Sequence, residues 1–230
     1  DVHFKTKSFL LLIVLLTFNV SSQNPRELLH QVQNKLNRAN NYKVDIKIKV
    51  DLPFISMLPI NTKLYFKQKN KLKIDTKSIA ILPKQGFLQL ITLLNDTTNY
   101  TAILQANEIV NNIKTSLINL IPNNDTSDVI LAKLWVDATN LVITKTQVTT
   151  KSSGTIKSEY SYGTQLAYGL PDIIKFTVDI KKFKIPKALA ADINTSKSKK
   201  VEKKSGEITV TFKNYEINKG ISNSVFDKVR

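Results

Sequence analysis

The clearest pattern in the chain is an alternation of apolar and charged residues over positions 43–51. Every second residue is apolar and the residues between are Lys or Asp, the apolar set being Val44, Ile46, Ile48 and Val50. A period of two places alternate side chains on opposite faces of a β-strand. This segment is therefore predicted to be a strand with one buried face and one charged face.

Two shorter apolar stretches follow at the spacing of a hairpin. Leu64-Tyr-Phe66 and Leu72-Lys-Ile74 flank the polar triplet Gln68-Lys69-Asn70, which is typical of a turn between antiparallel strands. We expect the apolar side of this hairpin to face the same way as that of the first strand.

Strand patterns dominate most of the remaining sequence. Further strands are predicted near 99–105, 113–121, 128–137, 141–150, 156–164, 172–182 and 207–217. Short breaks that contain Pro, Gly, Asn or Ser separate them. A meander of antiparallel strands explains these breaks, so the chain is expected to be mostly β with few helices.

One amphipathic helix is predicted before the first strand. Asn24-Pro25-Arg26-Glu27 combines an N-cap residue, a proline at the first helical position and an acidic residue in the first turn. Apolar residues then recur at helical spacing up to Asn40, namely Leu28, Leu29, Val32, Leu36 and Ala39. This stripe must pack against another part of the protein.

A second helix-like run follows Pro83-Lys-Gln-Gly86 and is apolar nearly all round. Such a helix needs apolar neighbours on two sides. One interpretation is that it belongs to the core. The other is a movable lid over an apolar hollow, with Phe87, Leu90, Ile91 and Leu94 as the lid residues.

The first residues have the pattern of an export signal. Lys5 and Lys7 precede a ten-residue apolar run over 9–18, and Val20-Ser21-Ser22 ends in the small residues that signal peptidase prefers. The run is about half as long as a membrane-spanning helix, and no cysteine follows that could carry a lipid anchor. We predict a signal peptide over 1–22 and a single exported domain over 23–230; a buried or anchoring helix is the alternative.

Composition limits the compartment and the partners. Export without any cysteine is more typical of a bacterial envelope than of small secreted animal domains. The net charge of +16 comes almost entirely from lysine, with arginine only at positions 26, 38 and 230. Because arginine makes the bidentate contacts that nucleic acids favour, no nucleic-acid binding is expected. Anionic lipid or lipopolysaccharide is the expected electrostatic partner.

Few residues could support catalysis. After residue 22 the chain has one histidine, His30, and no cysteine, so Cys-His chemistry and a metal cluster built on them are excluded. Six scattered glycines give no phosphate-binding loop. The carboxylate pairs Asp45/Asp51 and Asp172/Asp179 are more simply outward strand residues. We expect a protein that is not an enzyme and uses no cofactor or metal.

Several motifs resemble those of the periplasmic outer-membrane lipoprotein carrier family, the LolA/LolB-like proteins. Leu64-Tyr-Phe-Lys-Gln-Lys-Asn-Lys-Leu-Lys-Ile74 is similar to the family's aromatic strand, turn and returning strand, and Ile118-Asn-Leu-Ile-Pro122 is similar to a strand that ends in Leu-x-Pro. The segment 134–142 resembles a strand, Asp-centred turn and strand unit, and Ser161-Tyr-Gly163 and Leu170-Pro171 follow in order. The resemblance covers about 25–190, and 207–230 is expected to be a C-terminal extension of the sheet.

The resemblance implies a fold and a function. The fold would be an incomplete antiparallel β-barrel, a curved sheet covered by helices that close over an apolar cavity. The protein would be a soluble, monomeric periplasmic carrier that binds the acyl chains of lipoproteins or lipids and transfers them toward the outer membrane. Its partners would be an inner-membrane release machinery and an outer-membrane acceptor.

The alternating positions identify the side chains that would line this cavity. They are Ile46, Ile48, Leu64, Phe66, Leu72, Ile74, Phe176 and Val178. The simpler interpretation is that these residues fill an ordinary core. A curved sheet that two short helices cover only in part leaves room for an acyl chain.

Position 68 distinguishes this chain from the classical carrier. There, an arginine before a Pro-Asn turn helps to hold the lid closed, and the matching residue here is the neutral Gln68. Loss of a charge-assisted hydrogen bond at this latch position would let the lid open more readily.

A second function class remains open from the sequence. The same fold could serve as a non-enzymatic structural or protein-interaction module of the bacterial envelope. The lysine-rich stretch around Lys197–Lys204 is expected to be a solvated loop, with a docking role as the alternative.

Overall fold

The computed structural model describes residues 24–52, 58–68, 71–74, 99–152, 154–179 and 205–227. Its one α-helix among these, α1 at Pro25–Asn37, confirms the predicted helix. The side chain of Asn24 accepts a hydrogen bond of 3.0 Å from the Arg26 amide, and Pro25 opens the helix. Leu28, Leu29 and Val32 form its buried stripe.

Ten strands form one antiparallel sheet. They are β1 Asn41–Asp51, β2 Ile60–Lys67, β3 Lys71–Ile74, β4 Tyr100–Val110, β5 Ile113–Pro122, β6 Val129–Asp137, β7 Val142–Thr150, β8 Gly154–Ser161, β9 Ile173–Asp179 and β10 Ser205–Ile217. Short 3-10 helices lie at Leu166–Tyr168 and Asn223–Phe226. The sheet is curved and does not close, which confirms a mostly β fold built on an incomplete barrel.

The strand order is β3-β2-β1-β10-β9-β8-β7-β6-β5-β4. Strands β4 to β9 form the predicted meander, and β1 to β3 form a second one. The sequence suggests an extension of the sheet by 207–230, and the structure places β10 inside the sheet rather than at an edge. It pairs with β1 on one side and with β9 on the other, and so joins the two meanders.

Asparagines supply the special backbone conformations of the sheet. Asn111 and Asn112 have φ of 49° and 64° in the two-residue β4–β5 turn, as a tight hairpin of this twist requires. Asn214, with φ of 56°, lies where the β1–β10 register shifts. Asparagine adopts this left-handed region more readily than other residues with a side chain.

The apolar face of the sheet carries two clusters of buried residues. We call one the helix cluster, because α1 packs there against β4 to β7. The other, the sheet cluster, draws its buried members from β1, β2, β8, β9 and β10 together with Leu52. Tyr160 on β8 packs against both clusters.

Candidate functional site

The sheet cluster contains all eight side chains that the sequence predicts to line a cavity. Five of them are buried, with exposed fractions of 0–5%: Ile46, Ile48, Leu64, Phe176 and Val178. The other three are partly buried and pack against this group: Phe66, Leu72 and Ile74. The structure therefore brings the predicted set together on one face, with its more accessible members on β2 and β3.

Strand register explains how residues far apart in sequence meet. Leu64 lies opposite Ile74, and Phe66 lies opposite Leu72, across the predicted hairpin. Ile48 lies opposite Val210 on β10. The inward residues of β10 face β1 on one side and β9 on the other, so this strand connects the predicted residues of β1 with those of β9.

Eight further buried residues of the sheet cluster were not assigned to the site from the sequence, although Val44 and Val50 were predicted to be buried on the first strand. The additional buried members are Val44, Val50, Leu52, Ile156, Ile174, Ile208, Val210 and Phe212. Alternation in the segment 208–212, Ile-Thr-Val-Thr-Phe, was visible in the sequence. This alternation predicts which side chains of the strand face inward, but it does not predict which strands lie beside it. The side chains of 208–212 therefore could not be assigned to the site.

Aromatic rings form one end of the sheet cluster. Tyr42 stacks on Phe66 with ring centroids 4.9 Å apart, and Tyr215 meets Tyr42 edge-on at 5.8 Å. The Tyr215 hydroxyl donates a hydrogen bond of 2.8 Å to the Pro171 carbonyl. Burial raises the pKa of Tyr42 and of Tyr215 above the ordinary value, so both phenols stay neutral at physiological pH.

Hydroxyl groups mark the boundary between the two clusters. Thr146 and Ser158 are buried and lie opposite each other on β7 and β8. The Thr146 Oγ1 lies 3.4 Å from the Tyr160 hydroxyl, whose pKa is raised by burial. These side chains form a short neutral polar strip between the clusters, which still meet where Val148 lies opposite Ile156. The alternation pattern of the sequence did not reveal this strip.

Gln68 connects the β2–β3 hairpin to the end of α1. Its Nε2 donates a hydrogen bond of 3.0 Å to the Asn37 carbonyl, and its backbone amide donates one of 2.8 Å to the Asn40 carbonyl. The last carbonyls of a helix have no partner within it. Gln68 therefore caps α1, while its role as a lid latch remains a prediction.

Several sequence predictions lie outside the described residues. They are the signal peptide over 1–22, the lid residues Phe87, Leu90, Ile91 and Leu94, and the lysine-rich stretch 197–204. For His30, which lies on the described α1, the structure gives an exposed side chain 3.3 Å from that of Asn34. Within the described ranges, no group of His, Cys, Asp and Glu side chains is arranged to hold a metal ion.

The outward face of β1 is charged, and two of the carboxylates singled out in the sequence have structural partners. Asp45 accepts hydrogen bonds from Lys63 at 2.5 Å and from Asn214 at 2.9 Å. These bonds hold the pKa of Asp45 below its usual range. Asp172 accepts a hydrogen bond of 3.3 Å from the Thr164 amide. Asp45 is thus an outward strand residue, as the simpler interpretation has it, whereas Asp172 lies just before β9 and is not a strand residue.

Solved structures of other proteins share this architecture. A DUF1329 family protein from Desulfovibrio piger superposes with a TM-score of 0.58 at 12% identity, over 88% of this chain and 95% of its own. An outer membrane lipoprotein-sorting protein domain from Vibrio parahaemolyticus gives 0.56 at 9% identity, over 89% and 97%. A LolA superfamily protein from Nitrosomonas europaea gives 0.53 at 12% identity, over 89% and 97%.

These similarities define the class of fold. No protein-family model matches the chain, and no curated protein sequence matches it significantly. At such low sequence identity the structural likeness shows the fold alone. The chain has a LolA-like fold, which confirms the fold implied by its motifs. No described helix has the length and apolar character needed to cross a membrane.

Proposed function

We propose that this protein is a carrier that binds acyl chains of lipoproteins or lipids on the apolar face of its sheet. The observation that carries the proposal is the sheet cluster, in which all eight predicted lining residues meet on a LolA-like fold. The tyrosines at its margins are neutral, so the face suits a hydrocarbon ligand rather than a charged one.

The energetics limit how much of the ligand is buried. Each buried methylene contributes roughly 0.8 kcal/mol, so one chain of about 15 methylenes is worth about 12 kcal/mol before any costs. Three fully buried chains would exceed the practical ceiling on affinity of about 18–21 kcal/mol. A carrier that must release its ligand therefore buries the chains only in part.

The finer proposal concerns compartment and partners. We propose a monomeric periplasmic protein, exported by a signal peptide over 1–22, that passes its ligand toward the outer membrane without enzymatic chemistry. An inner-membrane release machinery and an outer-membrane acceptor would be its partners. This part of the proposal is supported by the export pattern and by the motif resemblance.

A second function is favoured by one observation. Ile46, Ile48, Phe176 and Val178 are 0–3% exposed, as they would be if they only filled a core. A LolA-like fold with a filled core would be an envelope structural or protein-interaction module. Such a protein would bind no lipid.

An environment-sensitive fatty-acid probe separates the two functions. Because Ile48 is fully buried, a glutamate there would bury a charge and risk unfolding the protein. Leu72→Asn is the sharper variant, since Leu72 is only partly buried on the four-residue edge strand β3. Lys73→Asn, on the opposite face of β3, is the matched control.

The carrier proposal predicts probe binding by the wild type and by Lys73→Asn. Leu72→Asn should weaken probe binding by about tenfold, which corresponds to loss of one partly buried apolar side chain from the site. Circular dichroism should show the same fold in all three proteins. A wild-type protein that does not bind the probe would support the structural or protein-interaction module instead.

A further inference from the structure

The end of the β4–β5 hairpin carries exposed aliphatic side chains. Ile109 is 78% exposed and Ile113 is 38% exposed, and Val110, the partner of Ile113, is partly buried. Single exposed hydrophobic residues are common on protein surfaces. Three β-branched aliphatic residues around one tight turn form an exposed apolar patch, and such patches often mark interaction sites.

This hairpin end projects beyond the neighbouring strand. Pairing of β5 with β6 begins at Ser116 opposite Val136, whereas pairing of β4 with β5 continues to Val110 opposite Ile113. Residues 113–115 therefore extend past the paired part of β6, and of these Thr115 is still buried. The exposed extension is Ile113 and Lys114, or about 7 Å at about 3.3 Å per residue.

Aliphatic side chains lie on both faces of the projecting end, next to Lys114 on one face and Glu108 on the other. Ile109 lies opposite Lys114 on the face of β5 that also carries Ile118 and Leu120, two buried residues of the helix cluster. Val110 and Ile113 lie on the other face, since side chains alternate along a strand. The end thus presents aliphatic groups on both faces, and the hydrogen-bonded pair Asn107 and Ser116 separates it from the apolar face of the sheet.

We propose that the β4–β5 hairpin end docks on a bilayer that contains anionic lipid. A bilayer interface surrounds an inserted hairpin on both faces, whereas a protein surface contacts one. Lys114, beside Ile109, reaches lipid phosphate with its ammonium group while its aliphatic stem stays among apolar groups. The net charge of +16 attracts the protein to an anionic surface.

The turn residues agree with docking at the headgroup level. A two-residue turn with both φ angles positive requires Asn or Gly, and Asn111 and Asn112 supply it with amides that hydrogen-bond readily. In this arrangement the turn lies among headgroups and the hairpin is tilted. Ile109, Val110 and Ile113 then enter the boundary between headgroups and acyl chains.

Vesicle flotation tests the proposal with a matched pair of double variants. Ile109→Thr with Ile113→Thr removes the apolar end and keeps the strand propensity of a β-branched residue. Ile103→Thr with Ile121→Thr makes the same change on the same two strands, at residues 46% and 42% exposed but away from the turn. Vesicles of phosphatidylcholine with phosphatidylglycerol, and of phosphatidylcholine alone, are the two probes.

The wild type and the control variant should float with the anionic vesicles, and the hairpin-end variant should bind them about tenfold more weakly. Lys114→Gln should lower affinity for the anionic vesicles by about fivefold and leave binding to phosphatidylcholine alone unchanged. An equal loss of affinity for anionic vesicles in the two double variants would overturn the proposal, as would a wild-type protein that binds no vesicles.

A cysteine-free chain permits a second, direct measurement. Val110→Cys labelled with an environment-sensitive fluorophore should shift to the blue on anionic vesicles, and the same label on Ile103→Cys should not. A label on Val110→Cys that stays in water would contradict docking through this hairpin. Fatty-acid probe binding by the hairpin-end variant is expected to be unchanged, so this inference and the proposed function fail independently.

Discussion

At the scale of single residues, asparagine side chains form hydrogen bonds that join separate elements. Asn218 has φ of 57° just after β10. Its Oδ1 accepts a hydrogen bond of 2.8 Å from the Asn40 amide, and its Nδ2 donates one of 2.9 Å to the Arg38 carbonyl. One side chain thus ties the end of the last strand to the junction between α1 and β1.

Asn218→Gly should therefore destabilise the protein by about 1–2 kcal/mol, the worth of two or so hydrogen bonds. Glycine tolerates the positive φ, so the loss comes from the side chain rather than from backbone strain. Urea unfolding measures the difference. Asn112→Gly, at φ of 64° in the β4–β5 turn, is the control and should change stability little; an equal loss in both would assign the effect to glycine itself.

At the scale of elements, β10 is the strand on which the sheet depends most. It supplies inward side chains to both meanders, and Ile208 is fully buried between Val50 on β1 and Phe176 on β9. Without β10, neither β1 nor β9 would have a partner on that side among the described strands. Its packing should therefore dominate the stability of the sheet cluster.

Ile208→Ala should lower the free energy of unfolding by about 2–5 kcal/mol, the usual cost of truncating a buried isoleucine. Ile121→Ala, at a residue 42% exposed on β5, removes the same atoms where little is buried and should cost about 0.5 kcal/mol or less. Chemical denaturation of both variants checks the difference. Similar losses would mean that β10 does not hold the central position described here.

Local patterns predicted the elements far better than their arrangement. The capped start at Asn24-Pro25 located α1, and strict alternation located β1. The strand predicted near 99–105 continues to Val110 in the structure. The prediction ended too early because a register shift between Leu104 and Ala106 breaks the period of two. The position of β10 could not be predicted, because alternation gives the buried face of a strand and not its neighbours.

The candidate site was predictable to the same degree. Hairpin spacing placed the apolar side chains of 64–66 and 72–74 on one face, and the structure adds the register, with Leu64 opposite Ile74 and Phe66 opposite Leu72. The polar strip at Thr146 and Ser158 was not predictable, since two hydroxyl residues on separate strands become neighbours only through register. Non-local pairing therefore accounts for most of what the sequence could not show.

At the scale of the whole molecule, an apolar face is combined with a basic exterior. The sheet presents hydrocarbon side chains and neutral phenols on one side and charged residues such as Lys63 and Asp45 on the other. A net charge of +16 attracts such a molecule to anionic surfaces. In the proposed function, its apolar face binds acyl chains from those surfaces. Binding of acyl chains is the central claim.

The most direct test is mass spectrometry of lipids extracted from the protein after export and purification, with Leu72→Asn purified in parallel. We expect acyl lipids or lipoprotein bound to the wild type in a defined ratio, and clearly less on the variant, whose circular dichroism spectrum should match that of the wild type. Wild-type protein that carries no lipid, and acquires none when incubated with vesicles, would contradict the claim.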